Sequence, residues 1–241
     1  MKKTITLTVM SLMLVSIMNA QSWGNKKIKG NANVITETRT TDDYDGIKCA
    51  GSMDFILVAG KEGEITLEGD SNLLEYIITE VKDDNLIIKV KKGINMSYKN
   101  NTIKITIPFE DIDAVSLAGS GDLTSNDVIS TDELSVSLAG SGDIKLEVKT
   151  NFVKGAIAGS GDLTLEGNTN SLEARVAGSG DFHGFNLQSN DTDVAVAGSG
   201  DAKVVSNKTL SARVAGSGDV IYKGNPKTHT KVAGSGSVSQ H

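Results

Sequence analysis

Ala118-Gly119-Ser120-Gly121-Asp122 spells AGSGD. The pentapeptide begins again at Ala139, Ala158, Ala177, Ala197 and Ala215, with a final AGSGS copy at Ala233. Successive copies stand 21, 19, 19, 20, 18 and 18 residues apart. A fixed period of about twenty residues marks a solenoid. Around each copy the apolar residues fall on alternate positions: Leu134, Val136 and Leu138 before one motif, Ile144, Leu146 and Val148 after it. That is the period of strands. Extended through the motif, the alternation puts both glycines on the core side and leaves Ala, Ser and Asp pointing outward.

Seven corners are therefore expected, formed by Gly119 and Gly121, Gly140 and Gly142, Gly159 and Gly161, Gly178 and Gly180, Gly198 and Gly200, Gly216 and Gly218, and Gly234 and Gly236. Glycine at an inward position marks a bend where backbones crowd one another. The alternation excludes a helical solenoid, and propeller repeats are roughly twice this length. The expected fold is all-β: a single-stranded parallel β-helix with roughly 20 residues per coil and coils about 4.8 Å apart, so that seven stand about 34 Å tall.

Lys2 and Lys3 precede an apolar run from Ile5 to Met18, which reads as a secretory signal over 1–20. The run is too short to span a membrane. Residues 21–43, which include Trp23, are polar and are expected to be a leader. Residues 44–110 alternate in several short runs, with turn residues at Asp83, Asp84 and Asn85 and at Asn100 and Asn101, and Ser71 could cap a short helix over Asn72 to Tyr76. This region is expected to be one irregular coil, extended by antiparallel strands, that caps the stack. The β-helix proper then occupies 111–241. Within the cap, Ala50 to Asp54 reads AGSMD, a degenerate motif whose register points the sole cysteine, Cys49, inward as a small buried apolar residue. With no cysteine at the expected cleavage site, a lipid anchor there is excluded.

The formal charge of −6 has no basic stripe, which argues against nucleic acid, and 4% aromatic content leaves little material for sugar-stacking platforms. The outward Asp122, Asp143, Asp162, Asp181, Asp201 and Asp219 would form a ladder of like charges, repelling by about 1 kcal/mol per neighbouring pair in water. Either backbone N–H groups or the motif serine satisfy them, as is common in turns, or calcium lies between coils, as the GSGD pattern of β-roll repeats suggests. Only one motif serves each coil here, which favours the structural reading, with no metal or other cofactor. A polysaccharide lyase would need clustered, non-repeating acids and bases. The chain after residue 20 has only Arg39, Arg175 and Arg213; Arg175, Arg213 and Lys231 share an outward register that Ala195 interrupts, which reads as a solvated face. His183 and His229 fall in different registers and His241 is the last residue, so histidine offers no evident site. Spacings that drift from 18 to 21 do not fit a hexapeptide acyltransferase. No catalytic residue is assigned.

The run from Tyr44 to Ile47, AGSMDFILVAG, ITLEGDSNLLEYIITEV, DNLIIKV and the serial AGSGD copies together resemble the bacterial putative auto-transporter adhesin, head GIN domain family, over nearly all of Tyr44 to Ser237. The resemblance implies a right-handed β-helix shaped like pectin lyases but without their catalytic residues, and a role in cell adhesion. The C-terminal membrane barrel of a true autotransporter is not part of the sequence. The expectation is thus an exported, non-enzymatic scaffold of the cell envelope that binds a surface glycan or protein. The alternative is an envelope protein that binds or degrades polysaccharide. No capping segment follows the final AGSGS copy, so the last coil is expected to expose strand edges and to favour a homo-oligomer or an end-on partner.

Overall fold

The computed structural model describes residues 26–98 and 102–241. The expected signal, Trp23 and the Asn100–Asn101 turn lie outside them. No helix among the described residues is long and apolar enough to cross a membrane.

The chain is a parallel β-solenoid flattened between two sheets. Each motif coil contributes one strand to either sheet, the AGSGD corner joining them, except that the first gives the twelve-stranded sheet two short strands, Leu123–Ser125 and Ile129–Ser130. The ten-stranded sheet runs from Lys227–Gly234 through Thr209–Gly216, Asp191–Gly198, Ser171–Gly178, Phe152–Gly159, Glu133–Gly140 and Ala114–Gly119 to Gly46–Gly51, Asn85–Val90 and Ile77–Lys82. The twelve-stranded sheet faces it, from Val238–Gln240 at one edge to Val34–Thr40 at the other. In the ten-stranded sheet the register of the repeats is strict: Gly119 pairs with Gly140, Gly140 with Gly159, and so on to Gly234, so equivalent residues stack in straight columns.

The parity expected from the sequence holds. Leu138 and Ile144 are each 1% exposed, whereas Ser141 and Asp143 face solvent. Leu, Ile, Val and Phe fill the space between the sheets in one continuous core. Cys49 sits in it at 2% exposure, and burial pushes its thiol well above the ordinary value, so it packs as an apolar residue.

A Cβ at either motif glycine would strike the carbonyl oxygen of the coil below, and the first glycine is constrained by its backbone conformation as well. The first has φ between +128° and +140° in all seven copies, a conformation L side chains rarely adopt. The second has ordinary φ, but a Cβ there would fall inside the carbonyl oxygen of the coil below, that of Gly142 in the case of Gly161. The tight corner brings two N–H groups onto one acceptor. The Gly119 carbonyl takes the N–H of Ser141 at 2.9 Å and of Gly142 at 3.1 Å, and the pattern recurs up the stack.

The N-terminal region departs from the expected single irregular coil. Gly46–Gly51 and Asp54–Ala59 form one coil around the AGSMD corner. Asn85–Val90 and Lys104–Phe109 add a second beneath it, pairing parallel with those strands. The chain then crosses back over the first coil to begin the repeats. Without an AGSGD corner, the lower coil carries no mark in the sequence. Antiparallel strands Glu64–Asp70 and Ile77–Lys82 and the outer strand Val34–Thr40 finish this end. Of residues 21–43, expected to be a leader, residues 26–43 are described, and they supply structure: Val34–Thr40 pairs along its length with Glu64–Asp70, and Lys26–Lys29 pairs with Ile94–Ser97. Their polar composition fits strands with one solvated face.

The short helix is Ser71–Leu74, and Asp70 rather than Ser71 occupies the N-cap position, without a side-chain cap bond. The Ser71 hydroxyl instead accepts the side-chain amides of Asn31 and Asn33. Arg39 closes the end of the core: its guanidinium donates to the carbonyls of Ile77 at 2.7 Å and Leu74 at 2.8 Å while Glu37 holds its Nε at 2.7 Å. It bridges from the edge of one sheet to the edge of the other.

Candidate functional site

The outward Asp column is held by main chain. Each Oδ1 accepts the N–H of the aspartate one coil further on, from Asp122 to Asp143 at 3.1 Å through Asp201 to Asp219 at 2.8 Å, and Asp219 ends the series on the N–H and hydroxyl of Ser237. The tight glycine turn leaves the Asp N–H without a main-chain acceptor, and the carboxylate of the coil below supplies one.

Histidine does meet this ladder, contrary to the register argument. His183 lies two residues beyond Asp181 on the same outward face, and its Nε2 stands 3.4 Å from Oδ2 of Asp162. Asp162, Asp181 and His183 bring one ligand atom each within 4.8 Å of one another, the one such group among the described residues. Two oxygens and a nitrogen suit a borderline cation such as zinc better than calcium, which takes 6–8 oxygens. Lys203 pairs in register with His183 from the next coil and sets a positive charge against a cation there. A register shift between Thr164 and Glu166 leaves Gly184 and Phe185 unpaired, and Lys223 Nζ lies 4.2 Å from the Phe185 ring centre.

The opposite corner carries a second ladder that the sequence reading missed. Asn151 donates to Asp132 at 2.6 Å, Asn170 to Asn151 at 2.8 Å and Asn190 to Asn170 at 3.4 Å. The signal was present: these residues stand 19, 19 and 20 apart, the period of the motif.

The outer face of the ten-stranded sheet also varies from coil to coil. Its middle column reads Ala114, Ser135, Lys154, Glu173, Asp193, Ser211 and His229. Arg175 and Arg213 share the next column, and each reaches Asp193, at 3.3 Å and 2.9 Å. Glu173 takes Lys154 and Arg175, both at 3.5 Å. Ala195, the gap in the arginine register, gives the two guanidinium groups room to converge. Three shallow hollows of about 330, 440 and 210 Å³ run up this face. Phe152 lines the first two, and Ser211 and His229 line the second and third, so they form one groove from Asp113 to Lys231. Six strand spacings of about 4.8 Å make it roughly 29 Å long. Phe152, the carboxylates of Glu173 and Asp193 and the hydroxyls of Ser171 and Ser211 are among the groups that line it, and the surface exposed in the two larger hollows is mostly apolar.

The fold has close relatives among solved structures. An adhesin of Bacteroides fragilis, described as putative, superposes with a TM-score of 0.82 at 22% identity, covering 89% of this chain and 100% of its own. A protein of Parabacteroides distasonis described as a putative lipid binding protein gives 0.75 at 26% identity, over 90% and 100%. A putative adhesin of Parabacteroides merdae gives 0.71 at 24%, over 89% and 99%. A search of curated proteins finds no match. The sequence profile of one family matches residues 43–226, three quarters of the chain: the chain belongs to the putative auto-transporter adhesin, head GIN domain family.

Proposed function

We propose that the protein is an exported, non-enzymatic adhesin of the cell envelope whose groove on the ten-stranded sheet contacts an extended, hydroxyl-rich ligand, a surface glycan first of all. The groove carries this reading. It crosses the coils at right angles to the strands, and four of the coils offer Ser, Thr, Asp or Glu to it, at Glu133 and Ser135, Ser171 and Glu173, Asp191 and Asp193, and Thr209 and Ser211. Lys154, Glu173, Arg175, Asp193 and Arg213 pair with one another across its floor. The names of the family and of its structural relatives support adhesion and a place outside the cell. A lipid, suggested by the name of one relative, would also have to use an outer face, since side chains fill the space between the sheets.

A glycan and matrix-protein array tests the reading, comparing the protein with Phe152→Ala and Glu173→Lys. Binding to an extended glycan that both substitutions weaken is expected. Binding that neither changes would move the site off this face, and hydrolysis or elimination products from a bound glycan would make the protein an enzyme.

A further inference from the structure

We propose that copies of this chain stack head to tail, the last coil of one seated on the N-terminal edge strands of the next, an assembly that does not depend on the adhesive reading. Among the described residues, both ends of both sheets are open. Lys227–Gly234 and Val238–Gln240 each pair on one side only, and so do Ile77–Lys82 and Val34–Thr40 at the other end. Unpaired N–H and C=O groups on such strands are a template for another chain.

The side chains at the two ends fit one another. Of the four large apolar residues that are exposed among the described residues, three lie on these strands: Val34 at 45%, Ile35 at 38% and Val232 at 47%. On the core side of the last coil, Thr228 and Thr230 replace the Leu210 and Ala212 with which they pair, and all eight residues of their strand are exposed. Their hydroxyls suit the polar Glu37 and Arg39 lid that closes the opposite end.

Charge sets the polarity. Residues 220–241 contain three lysines and no acid, whereas 34–43 and 75–84 hold seven acids against Arg39 and Lys82. Unlike ends attract over about 8–10 Å at moderate ionic strength. Two tails brought together would oppose Lys227, His229 and Lys231 on each side, a device that guards edges against like pairing. A heterologous contact of this kind propagates instead of closing on itself. At the N-terminal end, one edge strand runs along the coil direction and the other against it, and both forms of pairing are sound.

The test is light scattering of the purified protein across a concentration series, at about 0.01 M and about 1 M salt. It is repeated with the exposed double variant Lys227→Glu/Lys231→Glu, whose fold is checked by circular dichroism. Mass should rise with concentration at low salt, and the variant should need about tenfold more protein to reach the same mass. In parallel, Ile35→Cys and Val232→Cys proteins are mixed with a short bismaleimide; Cys49 is buried. A cross-link only between unlike variants is expected. A monomer at every concentration, unchanged association in the double variant, or cross-linked pairs of Val232→Cys alone would each overturn the proposal.

Discussion

Oδ1 of Asp143 accepts the main-chain N–H of Asp162 at 2.9 Å, and Oδ1 of Asp162 accepts that of Asp181 at the same distance. The carboxylate of the motif aspartate thus stands in for the main-chain acceptor that the glycine corner lacks. An amide oxygen can do the same work without the like charge. Asp162→Asn is therefore expected to leave stability unchanged or raise it slightly, whereas Asp162→Ala should cost about 1 kcal/mol, the usual net value of one hydrogen bond. Urea midpoints of the two variants check the order; equal losses would show that charge, and not the acceptor, matters.

The two motif glycines should differ from their exposed neighbours. Gly161→Ala drives a Cβ into the Gly142 carbonyl, and Gly159→Val adds a branched side chain at φ +140° against the Gly140 carbonyl. Each is expected to lower stability by at least about 1–3 kcal/mol, as overpacking does. Ala158→Ser, on the outward face, should be nearly neutral. Thermal unfolding of the three variants measures the contrast.

Alkaline pH should weaken the fold. Burial, aided by the charge of Asp54, pushes Tyr98 up to about 12, and burial beside Glu62 raises Tyr44 further still, its hydroxyl donating to the Pro108 carbonyl. In the unfolded chain both ionise near the ordinary value of about 10. Above that pH the folded state holds more protons than the unfolded one, so stability falls as pH rises from about 10 towards 12. Urea midpoints at pH 9 and pH 11 should show the drop, and Tyr98→Phe should reduce it.

Calcium is expected to be dispensable. Main-chain N–H groups already occupy one oxygen of each ladder carboxylate, so the stack does not rely on a cation to hold the Asp column. Unfolding temperatures in millimolar calcium and in chelator should coincide. A ligand at about 100 times its dissociation constant would add roughly 2.7 kcal/mol, well within reach of the measurement.

The repeat determined the outline of this protein because parity and corners are local properties. A strand alternates its side chains whatever it pairs with, so Leu138 and Ile144 had to face inward once Ser141 and Asp143 faced out. A corner with no space for Cβ accepts glycine alone. Cys49 followed from the same parity. What the tertiary structure decided is who pairs with whom. Nothing in Leu86, Ile88, Ile105 and Ile107 says that their coil lies beneath residues 46–59, because alternation fixes the face of a strand and not its neighbour. The polar Val34–Thr40 becomes a strand only because Glu64–Asp70 offers an edge, and Arg39 closes the core only because that pairing carries it to Leu74 and Ile77. His183 meets Asp162 across neighbouring coils, so its contact depends on stacking register and not on its distance along the chain. The groove has the same origin: its residues recur roughly twenty apart and become neighbours only when the coils are laid one upon another.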